Sequence, residues 1–219
     1  MNEKITKMDD RNQNLPQGFT YLSEPSILIS IAYATSDNFM GRRLKGYDQN
    51  LCILTHEAAR ALLSAQKDLT QQNPHLHLKI FDAYRPDRAV QDIICWSVDP
   101  QDECMKSLYF PNLAKQDLLS QGYLAKKNSM HSSGSTVDLT IVQHSERGYQ
   151  EWDMGTPFDF FGEQSHTPHP DLTPEQRQNR LFLKNLMEKQ GFVNYEKEWW
   201  HYSLKNEPFA NVYFDFPVA

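Results

Sequence analysis

The chain has 219 residues, 39% hydrophobic and 23% charged, which is ordinary globular composition with enough length for one sizeable core. A formal net charge of -6 and a pI near 5.7 leave no electrostatic case for nucleic acid. No apolar run approaches the ~20 residues of a membrane-spanning helix, and the N-terminal "MNEKITKMDDRNQNLPQG" lacks an apolar signal-peptide core.

The expectation is a polar arm over 1–18 and one domain over 19–219, with no membrane insertion. The same reading makes the protein cytoplasmic, or periplasmic if a leader has been removed. Three cysteines, Cys52, Cys95 and Cys104, form no Cys-x-x-Cys, and an odd count speaks against a disulfide framework.

In chain order, "SILISIAYA" suggests a first strand. The stretch 55–72 reads as a helix with Thr55 as N-cap and Ala58, Leu62 and Leu69 near one face; Asn73-Pro74 stops it. "HLHLKIFDAY" at 75–84 alternates polar and apolar like a strand, and Pro86 ends it. Pro86 then opens a helix over "DRAVQDIICWSV" from its first turn.

After a loop-rich middle, "STVDLTIV" at 135–142 reads as a strand and 143–172 as long surface loops. Thr173-Pro174-Glu175-Gln176 combines an N-cap, a first-turn proline and a capping-box glutamine, and the helix it starts runs to Gly191. "FVNY" and "EWWHYSL" follow as a strand hairpin. Hairpin-paired strands beside helices predict an α+β fold on a mostly antiparallel sheet.

Three separated segments carry chemistry: "DAYRP" with Arg85, "SMHSSGSTVDLT" with His131 and Asp138, and "EWWHY" with Glu198 and His201. Two imidazoles and a carboxylate are zinc ligands, and a hydrolytic site keeps a fourth position open for water. His131, Asp138 and His201 supply that set. Glu198 is left over as a general base and Arg85 as a fixed positive charge for an oxyanion.

Spacing resists this reading. Residues three apart on a strand, such as Glu198 and His201, point to opposite faces. His131 and Asp138, seven apart, have the same conflict of parity. Two local devices resolve it: Gly134 turns the chain after His131, and either a bulge near Trp199-Trp200 resets the register or Glu198 belongs to the hairpin loop.

Taken in that order, "DAYRP", "SMHSSGSTVDL" and "EWWHYS" resemble the zinc D-alanyl-D-alanine dipeptidases of the VanX type. Those are grouped with the zinc D,D-carboxypeptidases and the hedgehog signalling domain. The resemblance runs from "YATSDNFMGRRLKGY" through "RQNRLFLKNLMEKQGF" to "NEPFANVYFDFPV". It implies a single domain of that type that hydrolyses D-Ala-D-Ala, in glycopeptide resistance or in peptidoglycan recycling. It implies one zinc ion on His131, Asp138 and His201, Glu198 as base, and Arg85 as stabiliser of the tetrahedral intermediate. It also implies that Ser129, Tyr33 and Asp159 line the substrate pocket.

A dipeptide zwitterion needs an anion for its ammonium and donors for its carboxylate. Asp159 is the candidate anion, and a turn or helix cap is the competing reading of it. Two positions depart from the resistance-type pattern: Ser133 stands in place of an arginine and Ser36 in place of a tryptophan. His56, His75, His77, His144, His166 and His169 receive no role. The expected partner is a small dipeptide, and the oligomeric state, a homodimer included, stays open.

Two rivals are weighed. A non-haem iron oxygenase also uses two histidines and a carboxylate, but it places the first pair one residue apart and has no need of Glu198. A structural zinc site is closed by a fourth protein ligand, and no obvious one is present.

Overall fold

The computed structural model describes residues 15–219. Of the expected polar arm, residues 1–14 lie outside the described residues. Leu15 already packs against the core.

A six-stranded sheet in the order β2-β4-β5-β8-β7, with β6 paired to β5, forms the centre. Its strands are β2 (Ile27–Ile29), β4 (Leu76–Asp82), β5 (Thr136–Ser145), β6 (Gly148–Glu151), β7 (Phe192–Asn194) and β8 (His201–Leu204). All pairs are antiparallel except β2 with β4. A separate ribbon pairs β1 (Phe19–Tyr21) with β3 (Ile53–Thr55). The α+β expectation therefore describes the fold.

The main helices form where capping chemistry and apolar periodicity agree. Thr55 Oγ1 accepts from the Ala58 amide and starts α1 (His56–Gln72), which packs on β3 and β4. The capping box of Thr173 and Gln176 is formed at the start of α5 (Pro174–Lys189), and Gly191 leaves that helix at φ +88°. Helix α2 (Asp87–Val98) spans the predicted stretch, with Pro86 at its N-cap rather than inside its first turn.

Several elements differ from the sequence reading. "SILISIAYA" is a strand only over Ile27–Ile29; a 3-10 turn at Ala32–Ala34 follows and carries Tyr33. Asn50 Oδ1 accepts from the Ile31 amide at 2.7 Å, so a residue distant in sequence diverts the chain from the strand. The loop-rich middle contains two one-turn helices, α3 (Lys106–Tyr109) and α4 (Asp117–Ser120). The 143–172 stretch begins with the end of β5 and then β6 rather than loop alone. β8 starts at His201, which leaves Glu198, Trp199 and Trp200 in the connection from β7.

The closing segment covers one end of the core. Phe214 meets the Phe19 ring edge-on, Phe216 stacks on Tyr84 at 4.0 Å, and Val218 bridges to Tyr47. The Phe214 amide also donates to Ser132 O, bracing the turn that carries His131. Among the described residues, no helix is long and apolar enough to cross a membrane.

Candidate active site

Sheet register builds the floor of the site. Asp138 on β5 faces Asp82 of β4 on one side and His201 of β8 on the other, so their side chains share one face. An irregularity between Ile80 and Asp82 shifts the end of β4. His131 arrives from outside the sheet, on a 3-10 turn over Met130–Ser133. Ser129 caps that turn, and Gly134 leaves it at φ +81°. A Cβ at Gly134 would run into the Phe19 ring, so glycine is required there for space as well as for conformation.

Glu198 lies in the loop between β7 and β8, which is the second of the two resolutions of the spacing conflict. Buried Trp199 and Trp200 anchor this loop, Trp199 through Nε1 to Thr156 Oγ1 at 2.9 Å. Asn194 Nδ2 donates to the carbonyls of Glu198 and His201 at 3.0 and 3.1 Å, fixing the turn on which both side chains sit. Aromatic residues thus flank an ionisable pair because they hold it in place at the edge of a buried cleft.

The metal-ligating atoms of His131, Asp138 and His201 lie within 4.8 Å of one another. His131 Nε2 is 3.2 Å from Asp138 Oδ2, and His201 Nδ1 is 3.0 Å from Asp138 Oδ1. His131 Nδ1 is 2.7 Å from Ala83 O; a proton there hydrogen-bonds the carbonyl and leaves the Nε2 lone pair facing the cluster. Burial lowers His201 toward the neutral imidazole. Asp138 Oδ1 is buried and faces the His201 ring nitrogen. Burial pushes the Asp138 carboxyl up, but the two imidazoles outweigh it and hold it below the usual range.

Two imidazole nitrogens and a buried carboxylate oxygen form a donor set that suits a divalent cation such as zinc. Among the described residues, no other group of histidine, cysteine and carboxylate side chains converges this way.

Glu198 stands beside this cluster, its Oε2 3.6 Å from His201 Nδ1. Burial, reinforced by the Asp138 and Asp159 carboxylates, pushes it well above the ordinary glutamate range. Arg85 enters from the end of β4. Its Nε and Nη2 both reach Asp82 Oδ2 at 2.9 Å, and Nη2 is 3.5 Å from Asp138 Oδ2. Burial opposes its charge, but Tyr33, Asp82 and the other acidic groups around it more than restore it.

Asp82, which the sequence reading quoted in "DAYRP" without a role, is fully buried and also accepts from Tyr47 Oη at 2.6 Å. Its recoverable signal was an acid three residues before Arg85 at a strand end.

Opposite lie Tyr33 and Asp159. Tyr33 Oη donates to Asp159 Oδ2 at 2.9 Å, and the Arg85 guanidinium sits 4.8 Å from the Tyr33 ring centroid. Asp159 is only 4% exposed and occupies φ +60°, an unusual position that asparagine and aspartate tolerate best. Burial and the Asp138 carboxylate push it well above the ordinary range. Its carboxylate accepts from a side chain lining the same cleft, unlike a helix cap.

These residues and Ser129 line one cleft of about 210 Å³, together with Tyr123, Tyr195 and Trp200. All eight predicted site residues therefore lie in a single cavity. Ser36 is exposed, and buried Ser133 donates to Met130 O and to Glu207.

The family described as D-Ala-D-Ala dipeptidase, Peptidase_M15, matches residues 24–219. The chain belongs to this family. It is one of metallopeptidases. The chain is 40% identical over 203 residues to a D-alanyl-D-alanine dipeptidase of Enterococcus faecium, spanning 92% of this chain and 98% of the relative. A D-alanyl-D-alanine dipeptidase of Enterococcus faecalis is 38% identical over 207 residues, spanning 94% and 100%. One of Escherichia coli is 33% identical over 180 residues, spanning 82% and 80%.

Among solved structures, a vancomycin-resistance D,D-pentapeptidase VanY mutant with Zn(II) is similar over 74% of this chain and 78% of its own. Its identity is 14% and its TM-score 0.41.

Proposed function

We propose that this protein hydrolyses D-Ala-D-Ala to two D-alanines at a zinc site held by His131, Asp138 and His201. The observation that carries the reading is the convergence of those three donors with Glu198 beside them, in a cleft that Arg85 and Asp159 also line. The names of the relatives and of the family support the same activity.

Bound zinc supplies Lewis acidity, bringing the pKa of water from 15.7 toward about 7. Glu198 takes the proton of the attacking water and passes it to the leaving amine. Glu198 Oε2 stands 3.6 Å from His201 Nδ1, which places the carboxyl beside the position where that water would be held. Arg85, held by two contacts to Asp82, keeps a permanent positive charge beside the cleft for the developing oxyanion.

Asp159 receives the substrate ammonium, with Tyr33 steadying its carboxylate. Ser129 accepts the His131 amide through Oγ and offers its hydroxyl proton to the substrate carboxylate.

The test is a hydrolysis panel of D-Ala-D-Ala, L-Ala-L-Ala and a D-Ala-D-Ala-terminated pentapeptide, with and without chelator. The expected result is cleavage of D-Ala-D-Ala alone, lost on chelation and restored by zinc. A dipeptide left uncut, or cut equally well under chelation, refutes the assignment.

A further inference from the structure

One wall of the cleft comes from a segment of turns, 121–130, which contributes Gly122, Tyr123, Asn128, Ser129 and Met130. That wall is fastened across the cleft to the same loop that carries Glu198. Tyr195 Oη donates to Gly122 O at 3.0 Å, and Lys197 Nζ donates to Gln121 O at 2.6 Å. Lys197 Nζ also lies 5.9 Å from the Tyr123 ring centroid. A third tie joins Tyr123 Oη and His166 Nε2 at 3.1 Å.

Gly122 makes the fastening possible: it turns the chain at φ +83°, and a Cβ there would come within 3.2 Å of Tyr195 Oη. Tyr195 and Lys197 reach main-chain acceptors at the surface, where water competes for the same groups. The floor beneath is fixed by buried register and aromatic packing. The cleft of about 210 Å³ is smaller than the ~300–1,000 Å³ typical of pockets for drug-sized ligands.

We propose that Tyr195 and Lys197 are specificity-determining residues, which clasp the 121–130 wall shut and thereby set the greatest peptide length the site accepts. The proposal rests on the dipeptidase reading of the cleft. It acts on length, whereas Asp159 acts on charge. Losing one such hydrogen bond shifts a local opening equilibrium by about 2- to 12-fold.

The test compares wild type, Tyr195→Phe, Lys197→Met and the double variant on D-Ala-D-Ala and on D-Ala-D-Ala-D-Ala. The tripeptide keeps both charged ends and adds only length. Tyr195→Phe also leaves the charges around Glu198 unaltered. Hydrogen exchange over 119–130 gives a readout independent of turnover.

The clasp predicts faster exchange there, with β5 unchanged. It also predicts a tripeptide-to-dipeptide ratio of kcat/KM raised about 3- to 10-fold in each single variant and further in the double. Unchanged exchange overturns the proposal, and so does faster exchange with an unchanged ratio. A wild-type protein that cuts neither peptide refutes the dipeptidase reading, while exchange still decides whether the clasp exists.

Discussion

Replacing Asp159 by asparagine removes the charge assigned to the substrate ammonium while keeping the backbone. Asparagine tolerates the φ of +60° at this position, whereas alanine adds strain there. The amide oxygen can still accept from Tyr33 Oη, which now lies 2.9 and 3.2 Å from the two carboxylate oxygens.

The size of the loss follows from burial. Unit charges 4 Å apart attract by about 4 kcal/mol at an effective dielectric constant near 20. Truncating one partner of a buried, hydrogen-bonded charge pair costs about 2–5 kcal/mol. At 1.36 kcal/mol per factor of ten, kcat/KM for D-Ala-D-Ala falls about 30- to 5,000-fold.

N-acetyl-D-Ala-D-Ala has no ammonium to lose. Wild type should scarcely cut it, because its amide leaves the Asp159 carboxylate desolvated and without a cation. The variant should lose little on this substrate, so the ratio of the two kcat/KM values contracts by about the same 30- to 5,000-fold. Steady-state kinetics on both substrates reads this directly. A ratio equal to wild type in Asp159→Asn means that the ammonium is anchored elsewhere.

Metal binding and proton transfer should separate by mutation. Glu198→Ala should keep near-stoichiometric zinc by elemental analysis and lose about 10²- to 10⁴-fold in kcat, while His201→Ala should lose both zinc and activity; a Glu198→Ala protein unable to hold zinc refutes the assignment. Arg85→Ala should lower kcat more than it raises KM, and Arg85→Lys should recover only part, since one ammonium cannot reproduce the two contacts to Asp82; an effect on KM alone reassigns Arg85 to substrate binding.

Away from the cleft, Asp92 is buried and takes Arg42 at 2.7 and 3.1 Å and the Lys45 amide at 3.2 Å. Burial raises its carboxyl, but these partners prevail and hold it below the ordinary aspartate value. Its stabilisation is therefore present above the unfolded value of about 3.9 and is lost as pH falls through the lower folded value. Asp92→Asn should cost about 1–3 kcal/mol in denaturant unfolding near pH 7, with the gap to wild type closing below pH ~4; a gap independent of pH overturns this account.

What the sequence reveals divides by how local its cause is. The caps of α1 and α5 are visible because Thr55, Thr173 and Gln176 act within one turn of themselves. The His131–Gly134 turn is visible because a glycine at φ +81° answers a conflict of strand parity. The position of Glu198 is narrowed to two alternatives and no further. The choice depends on Asn194 bridging two carbonyls and on Trp199 reaching Thr156, contacts that no periodicity records.

The ribbon of β1 with β3 escapes for a related reason. Each strand is three residues long, and Phe19 pairs with Thr55 from far along the chain. Asp82 carries no legible role in "DAYRP" because its place depends on standing opposite Asp138 in the sheet. Tyr33 falls in the "SILISIAYA" stretch that reads as a strand, whereas Asn50 turns the chain out of the sheet before it.

Charge in the cleft ties these assignments together. Asp82, Asp138, Asp159 and Glu198 interact in a buried space with one guanidinium, Arg85, and two imidazoles of which burial keeps His201 neutral. Four negative charges against one positive is an arrangement that low-dielectric surroundings oppose. The upward shifts of Asp82, Asp159 and Glu198 express that opposition.

On the proposed assignment a divalent cation at His131, Asp138 and His201 contributes two positive charges and a substrate ammonium at Asp159 contributes a third. These charges offset the carboxyl groups that Arg85 alone does not balance. The substrate carboxylate restores one negative charge, and Arg85, held on Asp82, is assigned to the oxyanion. That carboxylate must therefore be met by neutral donors such as Ser129. A ligand that brings a carboxylate without an ammonium would leave Asp159 uncompensated, so on this assignment the cleft should select a small zwitterion over its N-acylated form.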